Sequence, residues 1–339
     1  MKSENIKLAN KIHKIRHSSI HLHQSNLDYF TIYLAPHSRE VIKNHVTLFK
    51  KKFASLKNAS NKKSSIEITQ IVMEDKNPIL MALTQRIVQM LCDLGVALLK
   101  DFPMDLDQDE MDIATFIFGC YLGIPMYNNR DKIYIWPIIS QQIDSSKTLD
   151  GNIRYGNTGS PLSFHTDTTT IAGLLCLRSS QMGGENELIS TVAVHNRIFE
   201  NRKDLLKVLY APFFIDRRGE QREGDKPYAE IPIFGVNKSG QLMTHWTQSY
   251  TREAYRKYAV PPLSPIQEDA LAYLITTIEQ IADERKVEIK SEPGDFLLCN
   301  NNLIFHNRKP FTGDRHLLRI WIHSDRYQSF PHMFGYPCL

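Results

Sequence analysis

Long apolar runs are missing from this chain of 339 residues. None approaches the ~18–20 residues of a membrane span, so no membrane partner is expected. Cysteine is scarce. Cys92, Cys120, Cys176, Cys299 and Cys338 form no CxxC pair and no disulfide-like spacing, which points to reduced thiols in a cytoplasmic protein. No GxGxxG and no GxxxxGK[ST] occurs, which argues against dinucleotide and P-loop chemistry. Glycine and proline, 16 each, are too few for a fibrous or low-complexity protein. No repeat of ~20–50 residues is visible, so a solenoid or propeller is excluded. The amino-terminal MKSENIKLANKIHKIRHSS is charged and has no apolar h-region, so no secretory signal is expected.

What is present is an ordinary soluble composition, 42% hydrophobic and 23% charged. The charge is uneven. Residues 1–63 hold 13 Lys/Arg against 3 Asp/Glu, a net of +10, and the remainder holds 28 against 34, a net of −6. No interleaving of arginine with aromatics accompanies the basic segment, so it reads as a solvated, lysine-rich leader and no nucleic-acid partner is expected. We treat residues 1–75 as a basic extension. Residues 76–339 read as one domain with an insertion around 192–285.

The polar stretch Lys50–Ser65 reads as a loose linker. Apolar residues at near-helical spacing then predict a helix from Asn77, ended by Gly95, with VALLKDFP as a buried strand. Asp105–Tyr121 reads as a second helix with an acidic first turn. After this the chain turns to short strands: Ile133–Ile139, Leu162–Leu177 around a polar break, Phe213–Asp216, Ala229–Phe234 and Leu242–Trp246. Val192–Leu209 and Ser264–Ala282 read as helices. Pro293-Gly294-Asp295 opens FLLCNNNLIFH, and Leu317–His323 is a last strand. Helices first, then strands with helices inserted, suits a β-barrel or jelly roll with helices packed outside.

His165-Thr166-Asp167 is the first chemical candidate. On a strand, residues i and i+2 share a face, so an imidazole and a carboxylate can hold one metal. A second histidine from elsewhere would complete the facial triad of a non-haem Fe(II) oxygenase. The pair alone is weak, and His323-Ser324-Asp325 is a second example. Only His332 follows that one as a further histidine. His165 is instead followed by His306, and then by Arg315 and Arg319. In the last strand Leu317, Arg319, Trp321 and His323 alternate with Leu318, Ile320 and Ile322. The aliphatic set would face the helices, turning Arg319 inward. An inward guanidinium calls for an anion, and a dicarboxylate cosubstrate would supply one.

FHTD, the Gly183-Gly184 turn, PGDFLLCNNNLIFHNR and DRHLLRIW, in that order, resemble the taurine dioxygenase/clavaminate synthase (TauD/TfdA-type) family of Fe(II)- and 2-oxoglutarate-dependent oxygenases. The resemblance runs from about Ile79 to His323. It implies a double-stranded β-helix (cupin-like jelly roll) with surrounding helices and a helical insertion. It implies Fe(II) on His165, Asp167 and His306, with 2-oxoglutarate and O2 as cosubstrates. Arg315 then meets the far carboxylate of 2-oxoglutarate, Arg319 meets the cosubstrate or an anionic substrate group, and Thr191, or else Ser190, adds a hydroxyl. The implied reaction is hydroxylation of a small polar metabolite, amino-acid-like or anionic, with release of succinate and CO2. Two other readings share the donor set: a zinc hydrolase and a non-catalytic binding module. The partner is a small molecule, and a homo-oligomer is compatible with the sequence. Phe164 and Trp321 read as core, Trp246 and Tyr250 as packing or a lid, and His195 as a surface or supporting residue. Asn301 and Asn302 read as turn or supporting residues, and Cys176 and Cys299 as small core residues.

Overall fold

The computed structural model describes residues 12–140 and 159–327, so Cys338, His332 and the first eleven residues of the basic segment lie outside the described residues. Two sheets organise the chain. The larger holds β1 (Thr31–Tyr33), β2 (Val96–Lys100), β3 (Ile124–Met126), β4 (Ile135–Ile139), β6 (Ile171–Arg178), β9 (Phe296–Asn300) and β11 (His316–His323). Its order is β1-β2-β9-β6-β11-β3, with β4 also on β11. The smaller holds β5 (Leu162–His165), β7 (Asn186–Ser190), β8 (Val287–Ile289) and β10 (Ile304–Arg308), in the order β8-β7-β10-β5. Only β1 on β2 is a parallel pair among these strands.

Alternation on β11 decides which side is which. Leu318, Ile320 and Ile322 pack with Ile113, Phe116 and Ile117 of a helix, Gln108–Leu122, in the larger apolar cluster. Leu317 and Trp321 belong to separate small clusters on the other face. That helix begins at Asp107, which forms a capping box with Glu110 and satisfies amide groups that the helix cannot pair internally. Each large side chain buried here contributes roughly 1.5–3 kcal/mol. The second apolar cluster joins the two sheets. It unites Leu188 of β7 and Ile304 and Phe305 of β10 with Leu98 of β2 and Leu297 and Cys299 of β9.

The expected linker at Lys50–Ser65 is helical, and this is a correction. Pro36–Phe53 is a helix that buries Ile42, Val46, Phe49 and Phe53 on one stripe. Ala54, with φ +62°, breaks it. Ser55 caps a short helix, Leu56–Lys62, and Ser64 makes a capping box for Ser65–Glu74. The stretch looked like a linker because each turn buries only one or two residues, such as Ala59 and Ile68, while the rest stay polar. The described part of the basic segment is thus built into the same core as residues beyond 75. Val192–Leu209 is two helices, Thr191–Asn201 and Lys203–Leu209, broken at Arg202.

Candidate active site

His165 closes β5 and His306 lies in β10, directly opposite in the antiparallel register. Their ring centroids are 4.4 Å apart. Asp167 follows two residues after His165, and one ligand atom from each of the three lies within 4.8 Å of the others. Backbone bonds fix this corner. Asp167 N donates to Asn301 Oδ1 at 2.9 Å. Thr166 N donates to Trp246 O at 2.8 Å, and Trp246 N donates back to Thr166 Oγ1 at 3.0 Å. Asn301 therefore supports the loop rather than facing substrate, and its neighbour Asn302 accepts from Thr244 Oγ1 at 3.0 Å.

The protonation states suit a cation. His165 Nδ1 donates to the Ser163 carbonyl at 2.8 Å, which leaves the Nε2 lone pair for a ligand. Burial, aided by His165, pushes the His306 imidazole down to about 3, so it is neutral, and its Nδ1 is buried with no partner. Burial would raise the Asp167 carboxyl, but the Arg319 guanidinium, 3.5 Å away, outweighs it and holds it low. Two imidazoles and one ionised carboxylate are the donor set of a facial Fe(II) triad, so these residues fit that metal.

His165 and Asp167 of the triad line a cavity of about 680 Å³. Arg319, Trp321, Phe164, Tyr250 and Arg218 are among its lining residues. Arg319 Nε donates to Asn128 Oδ1 at 3.0 Å, and its guanidinium lies 4.5 Å from the Trp321 ring centroid. Phe164 and Trp321, expected as core, pack in or against apolar clusters and also border the cavity. Tyr250 is wall too, whereas Trp246 is packed in the second apolar cluster.

Arg315 is not on that wall. It is 4% exposed, and its guanidinium lies 5.4 Å from the Phe311 ring centroid. Burial pushes it down to about 10. Among the described residues it meets no carboxylate. Arg308 lies 4.7 Å from the same ring and donates to the Ser160 carbonyl; burial and Arg315 push it down to about 9. Asn186 pairs with Arg308 across the strands, and its Nδ2 is buried without an acceptor. The Gly183-Gly184 turn secures Phe311. A Cβ at Gly183 would fall 2.1 Å from Pro310 O, so only glycine fits. Sequence reasoning missed Arg308 and Asn186. Arg308 was open to the i, i+2 rule, being two residues after His306. Asn186 was not, because cross-strand register is not written in either segment.

Thr191 is a correction. It opens its helix fully buried, and its hydroxyl donates to Asn302 O at 2.6 Å. Ser190 caps the same helix by accepting from Ala193 N at 3.2 Å. Both hydroxyls are used by the fold. His195 is also fully buried, 2.9 Å from the Tyr210 hydroxyl, and outside the cavity. Cys176 and Cys299 are buried as expected.

A facial donor set between two sheets, with arginines behind it, defines a non-haem iron oxygenase class of site, and comparison with known proteins agrees. The family model described as "Taurine catabolism dioxygenase TauD, TfdA family" matches residues 54–321. The chain belongs to that family. It is an Fe(II)- and 2-oxoglutarate-dependent dioxygenase, an oxidoreductase that uses O2. The hydrolase and binding-module readings fall with this. The FR-33289 synthase of Streptomyces rubellomurinus is 29% identical over 250 residues, 70% of this chain and 71% of that protein. A uridine-5'-phosphate dioxygenase from Amycolatopsis sp. is 29% identical over 156 residues, 44% of this chain and 54% of that protein. The solved structure of asparagine oxygenase in complex with Fe(II), (2S,3S)-3-hydroxyasparagine and succinate superposes with a TM-score of 0.62 at 15% identity. That match covers 87% of this chain and 93% of that one. Among the described residues no helix is long and apolar enough to cross a membrane.

Proposed function

We propose that the chain hydroxylates a small polar metabolite, amino-acid-like or anionic, with His165, Asp167 and His306 as the iron ligands. The observation that carries this reading is the half-buried triad, with a neutral His306 and an ionised Asp167, beside an arginine-lined cavity. Bound iron with 2-oxoglutarate supplies the oxidising power, releasing succinate and CO2. The chain's own work is positional. Ser163 sets the His165 tautomer, Asn301 fixes the Asp167 backbone, and Arg319 keeps Asp167 ionised.

The far carboxylate of 2-oxoglutarate belongs with Arg315 in this reading, with Arg308 and Asn186 Nδ2 as further donors. Two buried guanidinium groups around one ring call for an anion, and a bidentate carboxylate matches guanidinium geometry. The two facing sheets are, in the same reading, the halves of a jelly roll. The insertion, about 192–285, supplies one wall of the cavity through Tyr250 and its neighbours. A relative named for uridine 5′-phosphate and a neighbour solved with hydroxyasparagine support a polar, charged substrate.

An anaerobic titration with Fe(II) and 2-oxoglutarate tests the proposal. A weak visible charge-transfer band that vanishes in His165→Ala and weakens in Arg315→Ala is the expected result. A band unchanged in His165→Ala would remove that residue from the triad.

A further inference from the structure

Trp321 stands two residues after Arg319 in β11, on the same face of the strand. It is 3% exposed and borders the cavity. In register it faces Ala172 of β6 and Met126 of β3, and it packs with both. The far side of the cluster comes from the insertion. Ile215, Ala229 and Ile231 belong to the antiparallel pair Pro212–Asp216 and Tyr228–Pro232, and Tyr250 packs against them. The sheet and the insertion thus fix the indole between them. Over that ring lies the Arg319 guanidinium, 4.5 Å from its centroid. Its edges meet oxygens. Nε donates to Asn128 Oδ1 at 3.0 Å, and Nη1 lies 3.5 Å from Asp167 Oδ1. Asn128 is itself fixed: it is fully buried, its N donates to Ile133 O at 2.7 Å, and its Nδ2 donates to Tyr134 O at 2.7 Å.

We infer that Trp321 is a positioning residue for the metal: its ring holds the Arg319 guanidinium against Asp167, and so keeps that carboxylate aimed at the iron. The inference rests on the iron triad proposed above and adds a residue that touches none of its ligating atoms in that role. A guanidinium laid on an aromatic face keeps its edge donors free and in plane for oxygen acceptors. Partners behind a metal ligand set its orientation, and Asp167 is the one carboxylate of the triad. The neighbouring position on the same face shows what plain packing uses. Leu317, buried against Ile138 and Cys176, is aliphatic. The aromatic stands where a guanidinium has to be held.

Fe(II) affinity of the metal-free chain, measured anaerobically by equilibrium competition, tests this. Trp321→Met fills much of the space without an aromatic face and should weaken Fe(II) binding about 10-fold. Trp321→Phe restores a ring and should stay within about 3-fold of wild type. In an Arg319→Met background, Trp321→Met should change the affinity by less than about 2-fold, because the group it holds is gone. Thermal melting of each metal-free variant reads packing separately, and Ile320→Ala, one residue away on the opposite face, should melt lower yet bind Fe(II) within about 2-fold of wild type. Unchanged affinity in Trp321→Met overturns the role. So does a loss in Trp321→Phe as large as in Trp321→Met, or the same loss with and without Arg319. Failure of wild type to bind Fe(II) overturns instead the triad on which the inference rests.

Discussion

Arg319, in the middle of the last strand, and Arg315, just before that strand begins, are four residues apart, both largely shielded from water, and they have opposite fates. Arg319 is satisfied from within the chain by Asp167 and Asn128. Arg315 has an aromatic ring beside it and no carboxylate among the described residues. A buried charge costs several kcal/mol unless paired. In the proposed reading the chain carries one arginine as part of its own metal corner and keeps the other for the far carboxylate of 2-oxoglutarate. The difference in partners is what separates the two roles in that reading.

The strongest way to break this contrast is Asp167→Ala. It removes a metal ligand and the partner of Arg319 together. Fe(II) affinity, measured by equilibrium competition, should fall by at least about 100-fold. An affinity within a few-fold of wild type would take Asp167 out of the triad. Next come the arginines themselves, each changed to methionine. Arg319→Met should lower the stability of the metal-free protein by about 2–4 kcal/mol, because Asp167 is left buried and unpaired. Arg315→Met should leave that stability unchanged or raise it, while 2-oxoglutarate binding weakens by about 10–100-fold, the loss of a charge-assisted contact. Equal destabilisation by both would erase the distinction drawn between them.

The outward face of the same strand gives a contrast of a different kind. Ile320 is fully buried under the helix that starts at Gln108. Ile320→Ala should cost about 2–4 kcal/mol in chemical denaturation and leave Fe(II) affinity within about 2-fold. Acid should also act through imidazoles outside the triad. Burial holds His195 and His245 down to about 4. Above pH ~6.5 both are neutral, folded or unfolded. As pH falls from ~6.5 toward 4, the unfolded chain takes up protons that the folded chain refuses. Stability of the metal-free protein should then drop by up to about 1.4 kcal/mol per pH unit for each group. A melting temperature that stays flat across that window would show the imidazoles are not held neutral. The smallest effect belongs to Thr191→Val. Losing the bond to Asn302 O should cost about 1 kcal/mol, and 2-oxoglutarate KM should move less than about 2-fold. A 10-fold rise would restore Thr191 to the cosubstrate.

Much of this was legible because it depends on spacing along the chain. The i, i+2 rule put His165 and Asp167 on one face, and alternation in the last strand separated Ile320 from Arg319. An acidic first turn marked the helix read as Asp105–Tyr121, which runs Gln108–Leu122. The amino-terminal helices were harder, since each buries only a thin stripe and the rest of its surface is polar. β1 was missed for another reason: a strand of three residues, Thr31–Tyr33, shows no period and exists by pairing with β2.

The sequence by itself determined the donor types, their order, and the two faces of the last strand, because strand geometry is local. Only the tertiary structure decided that His306 stands opposite His165, that Asn186 meets Arg308, and that Asp167 claims Arg319 and leaves Arg315. It also decided that Thr191 spends its hydroxyl on Asn302. These are contacts between segments tens to more than a hundred residues apart. Their partners are chosen by strand register and by the packing of two sheets, neither of which any single segment encodes.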